Sequence, residues 1–496
     1  MDRSLVLAGL DIGTSGVKAV LLDERGRLLA SALKEIPLSM PAPDWAEQDP
    51  EDWLRAAVEC MRAVVDSAGI RPDQIAGLGL TGQMHSLVCV GTDGRPARPA
   101  IIWADRRSGE QVRKLEQSIG RGRLLQLAGN PLATGFMIAS WEWLRQHEPE
   151  TARRTRLLML PKDYVRLRFT GQTGTEPSDA ASTLLFDVSG RRWSNPLREA
   201  VGLAEEQLPP VHESAAVAGG LTDEIAALTG WPSGIPVVYG ASDQAAQAVY
   251  QGVIEPGMVS CTVGTGGQIF APLAEPRPDP QLRLHLFCHA LPDRWHLEAA
   301  MLTAGMSLRW LRDTLGGEVG YKALADAAAQ VTAAQEGLFF LPYLSGERTP
   351  HMNPRARGAF IGLTLSHNRA HLARAVMEGV VFALRQGLEL VEGVTGRFDQ
   401  VLVSGGAAAH PLWLRLMADI FQRPLVVPES GETTASGAAL LAGVGAGLYA
   451  DLPAALAARG PLPGRAVLHD PAAAGKYEVG YRYFQALYPA LKPVLW

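Results

Sequence analysis

The N-terminal part of the chain alternates short apolar runs with turns of small or polar residues. Three runs, at residues 5–10, 17–22 and 28–33, have the length of β-strands and are joined by "DIGTSG" and "DERGR". Neither connection is long enough for the helix of a parallel crossover, so the pattern predicts an antiparallel meander. A dinucleotide-binding or Walker loop would open a helix at the first turn, whereas here a second strand follows.

A helix signal comes after the meander. Asp49, Pro50 and Asp52 supply a cap, a first-turn proline and a first-turn acid, and apolar residues then recur at helical spacing as far as Val64. Next, "IAGLGLTGQMHSLVCV" has the pattern of strand, glycine turn and strand. A meander followed by a helix and a further strand is typical of a ribonuclease H-like half-domain.

The same plan returns later in the chain. "PVVYGASDQAAQAVYQGV" ends in a predicted helix, "IEPGMV" is a proline and glycine break, and "VSCTVGTGGQIFAPL" is again strand, turn and strand. The turn at 262–267 mirrors the turn at 11–16, which indicates a repeated unit. We therefore predict an α/β protein with two ribonuclease H-like domains, residues 1–253 and 254–496, facing each other across a cleft.

Composition narrows the class of protein. A chain of 496 residues exceeds the size at which one hydrophobic core stops growing, so two domains are expected. With 46 basic and 51 acidic residues the net charge is -5, and no basic run suits a nucleic acid backbone. No apolar run approaches the ~20 residues of a membrane span. We expect neither a nucleic acid nor a membrane as partner.

The cysteines carry no metal or disulfide signal. They lie among apolar residues, without a CxxC pair or a histidine spacing suited to zinc. Cys60, Cys89, Cys261 and Cys288 are therefore predicted to be buried free thiols of a cytoplasmic protein.

The two glycine-rich turns offer backbone N–H groups to phosphate oxygens. Asp11, at the first turn, would lie near such phosphates and could hold Mg²⁺ directly or through water. Each feature alone has a plainer interpretation, because either turn can be only a tight turn and Asp11 can bond its own backbone. A third glycine turn, at Gly405 and Gly406 between a predicted strand and a predicted helix, favours a phosphate site.

Asp243 begins a helix of small residues, where the helix dipole favours a carboxylate. It is either an N-cap or a base that takes a proton from an attacking hydroxyl during phosphoryl transfer. His85, after Gln83 and Met84, is either a core histidine or, in a cleft facing Asp243, a contact for a polyol.

Trp103, Asp105 and Arg107 also have two interpretations. They form either a surface turn with an ion pair or, together with Gln83, Met84 and His85, one side of the sugar site. We call this side the sugar wall.

These motifs together resemble the carbohydrate kinases of the glycerol kinase and xylulokinase family, in the superfamily of actin, hexokinase and heat-shock chaperone ATPases. The resemblance runs from about Val6 to Ala446. Its most specific segments are similar to the xylulokinase branch and include "DIGTSGVKAVLLDERG", "GQMHSLV", "PAIIWADRR", "LPYLSGERTPH" and "GAFIGLTLSHNRAHLARAVMEGV".

The resemblance implies ATP as cosubstrate, Mg²⁺ as cofactor and a ketopentose as acceptor, with D-xylulose converted to D-xylulose 5-phosphate as the first expectation. It implies that Asp243 is the proton acceptor and that Asp11 is the metal-associated carboxylate. The sugar would lie beside Gln83, Met84, His85, Trp103, Asp105 and Asp243, and ATP beside Gly13, Thr14, Ser15, Lys18, Gly264, Thr265, Gly266, Gly405, Gly406 and Ala407.

Three departures from the family pattern bear on the substrate. Ser86 stands where Gly is usual, Ala104 where Asn is usual, and residues 140–142 read Ser-Trp-Glu where Lys-Leu-Leu is common. A related ketose, a polyol or gluconate therefore stays open as the substrate, and Arg106 is the one unusual cation in the predicted wall. An ATP-driven binding protein of the same superfamily is the alternative from another class. A homodimer is a possible assembly.

Overall fold

The computed structural model describes residues 5–315, 317, 319–429 and 431–495. Up to residue 251 the strands are β1 (Val6–Ile12), β2 (Gly16–Asp23), β3 (Leu28–Glu35), β4 (Glu47–Gln48), β5 (Ile75–Gly82), β6 (Val88–Val90), β7 (Ala100–Ile101), β8 (Leu157–Met159), β9 (Phe186–Asp187), β10 (Arg192–Trp193), β11 (Val217–Gly220), β12 (Pro236–Val238) and β13 (Ala241–Ser242). The helices of this part are α1 (Pro50–Ala68), α2 (Gly109–Ile119), α3 (Arg121–Leu127), α4 (Met137–His147), α5 (Pro149–Arg154), α6 (Pro161–Thr170), α7 (Pro177–Ala181), α8 (Asn195–Ala200), α9 (Asp223–Thr229) and α10 (Asp243–Gln251).

From residue 260 onward the strands are β14 (Ser260–Val263), β15 (Gly267–Leu273), β16 (His285–Cys288), β17 (Trp295–Met301), β18 (Phe339–Leu341), β19 (Ala359–Ile361), β20 (Val401–Ser404), β21 (Leu425–Pro428) and β22 (Gly464–Val467). The helices are α11 (Gly305–Thr314), α12 (Tyr321–Ala328), α13 (Arg369–Thr395), α14 (Pro411–Phe421), α15 (Thr433–Gly445), α16 (Leu452–Arg459) and α17 (Pro471–Leu495).

The first large sheet has the strand order β11-β12-β5-β1-β2-β3, with β13 also paired to β5. β1, β2 and β3 pair antiparallel, which confirms the predicted meander, and β5 lies parallel to β1. β1 is buried on both faces because it is central, whereas β3 at the edge is largely exposed. Helix α1 begins after Asp49, whose side chain accepts from the N–H of Glu51 as the cap signal predicted.

The second large sheet has the order β16-β17-β15-β14-β20-β21-β22. β14, β15 and β17 form an antiparallel meander, and β20 and β21 continue the sheet in parallel. The central order β17-β15-β14-β20-β21 thus repeats the order β3-β2-β1-β5-β12 of the first sheet. The repeat confirms the predicted α/β fold with two ribonuclease H-like units, while the boundary between residues 253 and 254 stays a prediction.

Two helices, α10 and α15, pack against each other between the sheets. A Cβ added at Gly437 of α15 would lie 1.8 Å from the carbonyl oxygen of Ala246 in α10, so the two backbones touch. α15 also packs on the first sheet, where a Cβ at Gly9 would lie 1.9 Å from the carbonyl oxygen of Ala435. Only glycine allows these approaches. They bring α15, which belongs to the last third of the chain, into direct backbone contact with the first sheet.

The four cysteines are all buried and free, which confirms the prediction of buried free thiols. Among the described residues, no helix is long and apolar enough to cross a membrane.

Candidate active site

The first glycine turn is a tight hairpin between β1 and β2, closed by a 3.1 Å hydrogen bond from the N–H of Gly13 to the carbonyl of Gly16. Asp11 lies at the end of β1, directly opposite Lys18 on β2. Burial raises the pKa of Asp11 to about 6, and the charge of Glu432 adds to the rise while Lys18 opposes it. Lys18 is itself paired with Glu432 at 2.6 Å, so the start of α15 joins the hairpin.

The carboxylate of Asp11 receives no hydrogen bond from any described residue, and the interpretation as a turn that bonds its own backbone therefore does not apply. In the parallel register, Asp11 is the partner of Thr81 on β5. The hydroxyl of Thr81 is buried and also lacks a partner within the described part of the chain. Two neighbouring polar groups are thus left for water or a ligand.

Asp243 is the first residue of α10, and Ser242 occupies the cap position before it. Asp243 is therefore not the N-cap. Its carboxylate accepts a 2.7 Å hydrogen bond from the N–H of Gln244. Burial, then the negative charges of Asp11 and Glu298, raise the pKa of Asp243 to about 8. The effect of the Asp11 charge on Asp243 indicates that the two predicted catalytic carboxylates lie close to each other.

Side chains of α10 attach this helix to the second sheet. Gln247 donates to the hydroxyls of Thr262 on β14 and Ser404 on β20, and Gln251 donates to Ser404 over 3.0 Å. Thr262 is the residue at the start of the second glycine turn. The helix that begins at Asp243 is consequently fixed beside that turn.

The second glycine turn is closed by a 2.9 Å hydrogen bond from the N–H of Gly264 to the carbonyl of Gly266. The carbonyl of Thr265 accepts from the N–H groups of Ala304 and Met306, which fixes the turn to the start of α11. A Cβ at Gly264 would meet nothing within 4 Å, so this backbone faces open space.

The third glycine turn lies against the second one. Gly405 has a φ of 86°, and a Cβ there would lie 2.5 Å from the carbonyl oxygen of Val263. The helix does not begin at the glycines as expected, because a 3₁₀ turn over Gly406–Ala409, which includes the buried Ala407, precedes α14. A Cβ at Gly406 also would meet nothing within 4 Å.

Thr14 in the first hairpin is the centre of a hydrogen-bond network. Its hydroxyl accepts from the indole of Trp103 over 2.8 Å and donates to Gln83 over 3.1 Å. Gln48 donates to the carbonyl of Thr14 over 2.8 Å and accepts from Gln83 over 2.8 Å. Predicted residues of the ATP and sugar sites, namely Thr14, Gln83 and Trp103, are therefore part of one network.

His85, a residue of the predicted sugar wall, packs its ring against Phe136, the ring centroids being 4.0 Å apart. Its Nδ1 is 2.9 Å from the carbonyl of Ser182, which can only accept, so the neutral ring carries its proton on Nδ1. Burial and the positive charge of Arg348 lower the pKa of His85 to about 3. The ring is therefore neutral, and Nε2 is an acceptor.

Three wall residues face the protein interior. Met84 is buried, and Ser86 is fully buried with its hydroxyl bonded to the carbonyl of Met84 and to the N–H of Trp103. Asp105 is neither in a surface turn nor open to a ligand. Both its oxygens are taken up by Arg107 and by the N–H of Ala46.

A cavity of about 1070 Å³ opens beside this wall, lined by Trp103, Ala104, Thr265 and Thr303 among others. Arg106 also lines it, but is paired with Asp44 at 2.8 Å.

Glu347 and Arg348 also line the cavity, although the sequence analysis did not identify them as site residues. They belong to the family segment "LPYLSGERTPH", whose adjacent charges were the signal available.

Two carboxyl groups near Arg348 have raised pKa values, which favour their neutral form. Burial raises the pKa of Glu347 to about 8 and that of Glu298 to about 7. One oxygen of each is buried without a partner among the described residues.

Comparison with known proteins agrees with this architecture. Residues 6–249 match the N-terminal domain of the FGGY family of carbohydrate kinases, and residues 259–446 match its C-terminal domain. The chain is 40% identical to the xylulose kinase of Escherichia coli K12 over 439 residues, 88% of this chain and 90% of that protein.

Two solved structures have nearly the same fold. The xylulose kinase of Rhodospirillum rubrum superposes with a TM-score of 0.89 at 32% identity, covering 99% of each chain. The gluconate kinase of Lactobacillus acidophilus superposes with a TM-score of 0.92 at 26% identity, also covering 99% of each. With both family domains matched in order and a relative of 40% identity, this chain belongs to the FGGY family of carbohydrate kinases and is an ATP-dependent sugar kinase.

Proposed function

We propose that this protein phosphorylates D-xylulose with ATP and forms D-xylulose 5-phosphate. The observation that supports this most is the position of Asp243, at the first turn of α10, with Asp11 near enough to raise its pKa. A second support is Trp103, which lines the cavity, together with the neutral His85, whose ring packs on Phe136 close to Arg348 of the same cavity.

In the proposed reaction Asp243 accepts the proton of the terminal hydroxyl as that oxygen attacks the γ-phosphorus of ATP in line. The raised pKa makes the ionised Asp243 a stronger base than an exposed aspartate. The bond between the γ-phosphorus and the bridging oxygen of ADP breaks as the new one forms. Positioning of the two substrates accounts for most of the acceleration in such transfers.

The glycine turns would hold the phosphates. Gly264 and Gly406 have open space where a side chain would be, so a ligand can come close to the backbone of both turns. Gly13 and Lys18 would approach from the other side, and the adenosine would lie along the 3₁₀ turn that contains Ala407. Because the turns belong to different units, closure of the cleft would assemble the site and exclude water.

Asp11 fits the cation that such a kinase uses. Mg²⁺ is commonly held by one or two carboxylates, several waters and the substrate phosphates. Asp11 presents a carboxylate without a hydrogen-bond donor, and the unpartnered hydroxyl of Thr81 beside it can bind a coordinated water. When bound, the ion would offset negative charge on the phosphates.

Gluconate is the second candidate substrate, and one observation favours it. Arg348 places an unpaired guanidinium in the cavity, as a carboxylate substrate requires. A polyol such as xylitol or glycerol is a third candidate. An ATP-driven binding protein would require no base opposite the phosphates, which makes it the weakest alternative. The cytoplasmic location and the homodimer stay predictions.

The test is ADP release by the purified protein with D-xylulose, D-ribulose, xylitol, glycerol and gluconate in parallel. We expect the highest kcat/KM with D-xylulose and a product phosphorylated at the terminal hydroxyl. Higher kcat/KM with gluconate would replace the proposed substrate. ADP release that no sugar stimulates would contradict the assignment of a sugar substrate altogether.

A further inference from the structure

We propose that Arg348 contacts the substrate and donates hydrogen bonds to the keto oxygen of the sugar. The inference rests on the proposed function and extends it, since it names the group that distinguishes a ketose from a polyol. It concerns the end of the substrate away from the transferred phosphoryl group.

Arg348 comes from the segment between β18 and β19 and lines the same cavity as Trp103. Its guanidinium carbon lies 5.1 Å from the centre of the Phe136 ring, and that ring packs on His85. Arg348 is also close enough to His85 for its charge to lower the pKa of the imidazole. The second unit therefore contributes a cation close to Phe136 and His85 of the first.

The guanidinium has no hydrogen bond and no ion pair within 4 Å among the described residues. Glu298 and Glu347 act on it only through their charges, and burial outweighs them, so that its pKa is lowered. Glu347 instead accepts from the backbone N–H groups of Leu302 and Arg348. A partly buried guanidinium without an acceptor is costly, and a substrate oxygen in the cavity would remove that cost.

The chemistry of Arg348 and His85 fits a keto group next to a hydroxyl. Arginine has five N–H donors and no acceptor, so it can bind only an acceptor oxygen. A keto oxygen is an acceptor only, whereas the hydroxyl in the same place on a polyol is also a donor. Near Arg348, the neutral ring of His85 keeps Nε2 as an acceptor that suits a neighbouring hydroxyl. A donor on one side and an acceptor on the other match the sequence of carbonyl and hydroxyl in a ketose.

The experiment compares the parent with Arg348→Met and Arg348→Lys, using D-xylulose, xylitol and gluconate as substrates. Arg357→Gln is the matched control, because Arg357 lies on the same segment, is exposed and bonds only backbone carbonyls nearby. For each protein the KM of the sugar, the KM of ATP and the Tm are measured.

We expect Arg348→Met to raise the KM for D-xylulose by about 10- to 100-fold, the range for loss of a hydrogen bond to a charged group. The KM for ATP should stay within about twofold, and kcat/KM for xylitol should fall much less than that for D-xylulose. Arg348→Lys should be intermediate, because lysine keeps the charge but loses the planar fork. If Arg348→Met does not fold, the same comparison is made with Arg348→Lys.

A folded Arg348→Met protein with the parental KM for D-xylulose would overturn the inference and leave the proposed function intact. Equal losses with D-xylulose and xylitol would overturn the assignment to the keto oxygen. A parent that acts on gluconate but on no ketose would overturn the proposed function itself, and the keto assignment with it.

Discussion

The indole nitrogen of Trp103 donates a 2.8 Å hydrogen bond to the hydroxyl of Thr14, and this bond connects the sugar wall to the first glycine hairpin. The same hydroxyl donates to Gln83, and Gln48 holds both Gln83 and the backbone of Thr14. The hairpin proposed for phosphate binding and the wall proposed for sugar binding are therefore one hydrogen-bonded unit.

Thr14→Val should impair the use of both substrates. The variant leaves the indole N–H of Trp103 and the side-chain carbonyl of Gln83 without a partner, at about 1–3 kcal/mol for each group left buried. We expect kcat/KM to fall about tenfold for the sugar and for ATP together. Thr14→Ser keeps the hydroxyl and should behave like the parent, so kinetics of both variants against both substrates decide the matter. A change in the KM of one substrate alone would show that the network does not couple the two sites.

Asp11→Asn should weaken the dependence on Mg²⁺ far more than sugar binding. The change removes a charge near the phosphates and leaves the shape of the turn nearly intact. We expect the Mg²⁺ concentration for half-maximal activity to rise about tenfold or more, equivalent to about 1.4 kcal/mol. Asp93→Asn is the control, because Asp93 is an exposed turn residue that bonds the N–H of Arg95. An unchanged Mg²⁺ titration at a normal rate would leave Asp11 with no role in metal binding.

Glu347 should make the stability of the fold depend on pH. Burial raises its pKa from an ordinary 4.5 to about 8. Between these values the folded protein keeps a proton that the unfolded chain has lost, so the free energy of unfolding falls as the pH rises. Glu347→Gln removes this titration and keeps an acceptor for the two backbone N–H groups.

We therefore expect the Tm of Glu347→Gln to rise relative to the parent between about pH 5 and about pH 8.5. Glu275→Gln, at an exposed position, should show no such trend. Thermal unfolding across the pH range provides the measurement. A Tm difference that stays constant with pH would mean that Glu347 titrates normally.

Local spacing in the sequence was enough to predict much of the fold. The meander of β1, β2 and β3, the start of α1 at Pro50 and the strands around both glycine turns were all predicted correctly. These features depend on alternation, turn chemistry and caps within a few residues. The likeness of the second turn to the first also predicted a second unit of the same kind, and the sheet order of the first unit is repeated in the second.

Contacts between segments that are distant in sequence could not be predicted from local sequence patterns. Nothing near Gly437 predicts that its helix crosses α10 in direct backbone contact. For Asp105 the sequence favoured a surface turn with an ion pair over a sugar contact, and only the fold shows that the residue is buried, with its oxygens occupied by Arg107 and Ala46. The place of Arg348 opposite Phe136 likewise depends on how the two units meet.

The central claim, that Asp243 is the base of a sugar kinase, is tested most directly by Asp243→Asn. Asparagine keeps the shape of the side chain and still accepts from the N–H of Gln244, but it cannot take the proton. Asp223→Asn is the matched control, since Asp223 is the first residue of α9 and is exposed, so that the same helix position is changed away from the site. Asp223→Asn should lose only the ~0.3–1 kcal/mol of a charge at a helix N-terminus. Asp243→Asn should not lower the free energy of unfolding, because the raised pKa of Asp243 means that its surroundings disfavour the charge.

The deciding measurement is kcat for D-xylulose phosphorylation by the folded Asp243→Asn protein at saturating ATP, with ATP affinity and Tm measured alongside. We predict a fall of at least the ~10²- to 10⁴-fold that general-base catalysis contributes, at near-parental ATP affinity and Tm, with Asp223→Asn fully active. Parental phosphotransfer by folded Asp243→Asn would contradict the account.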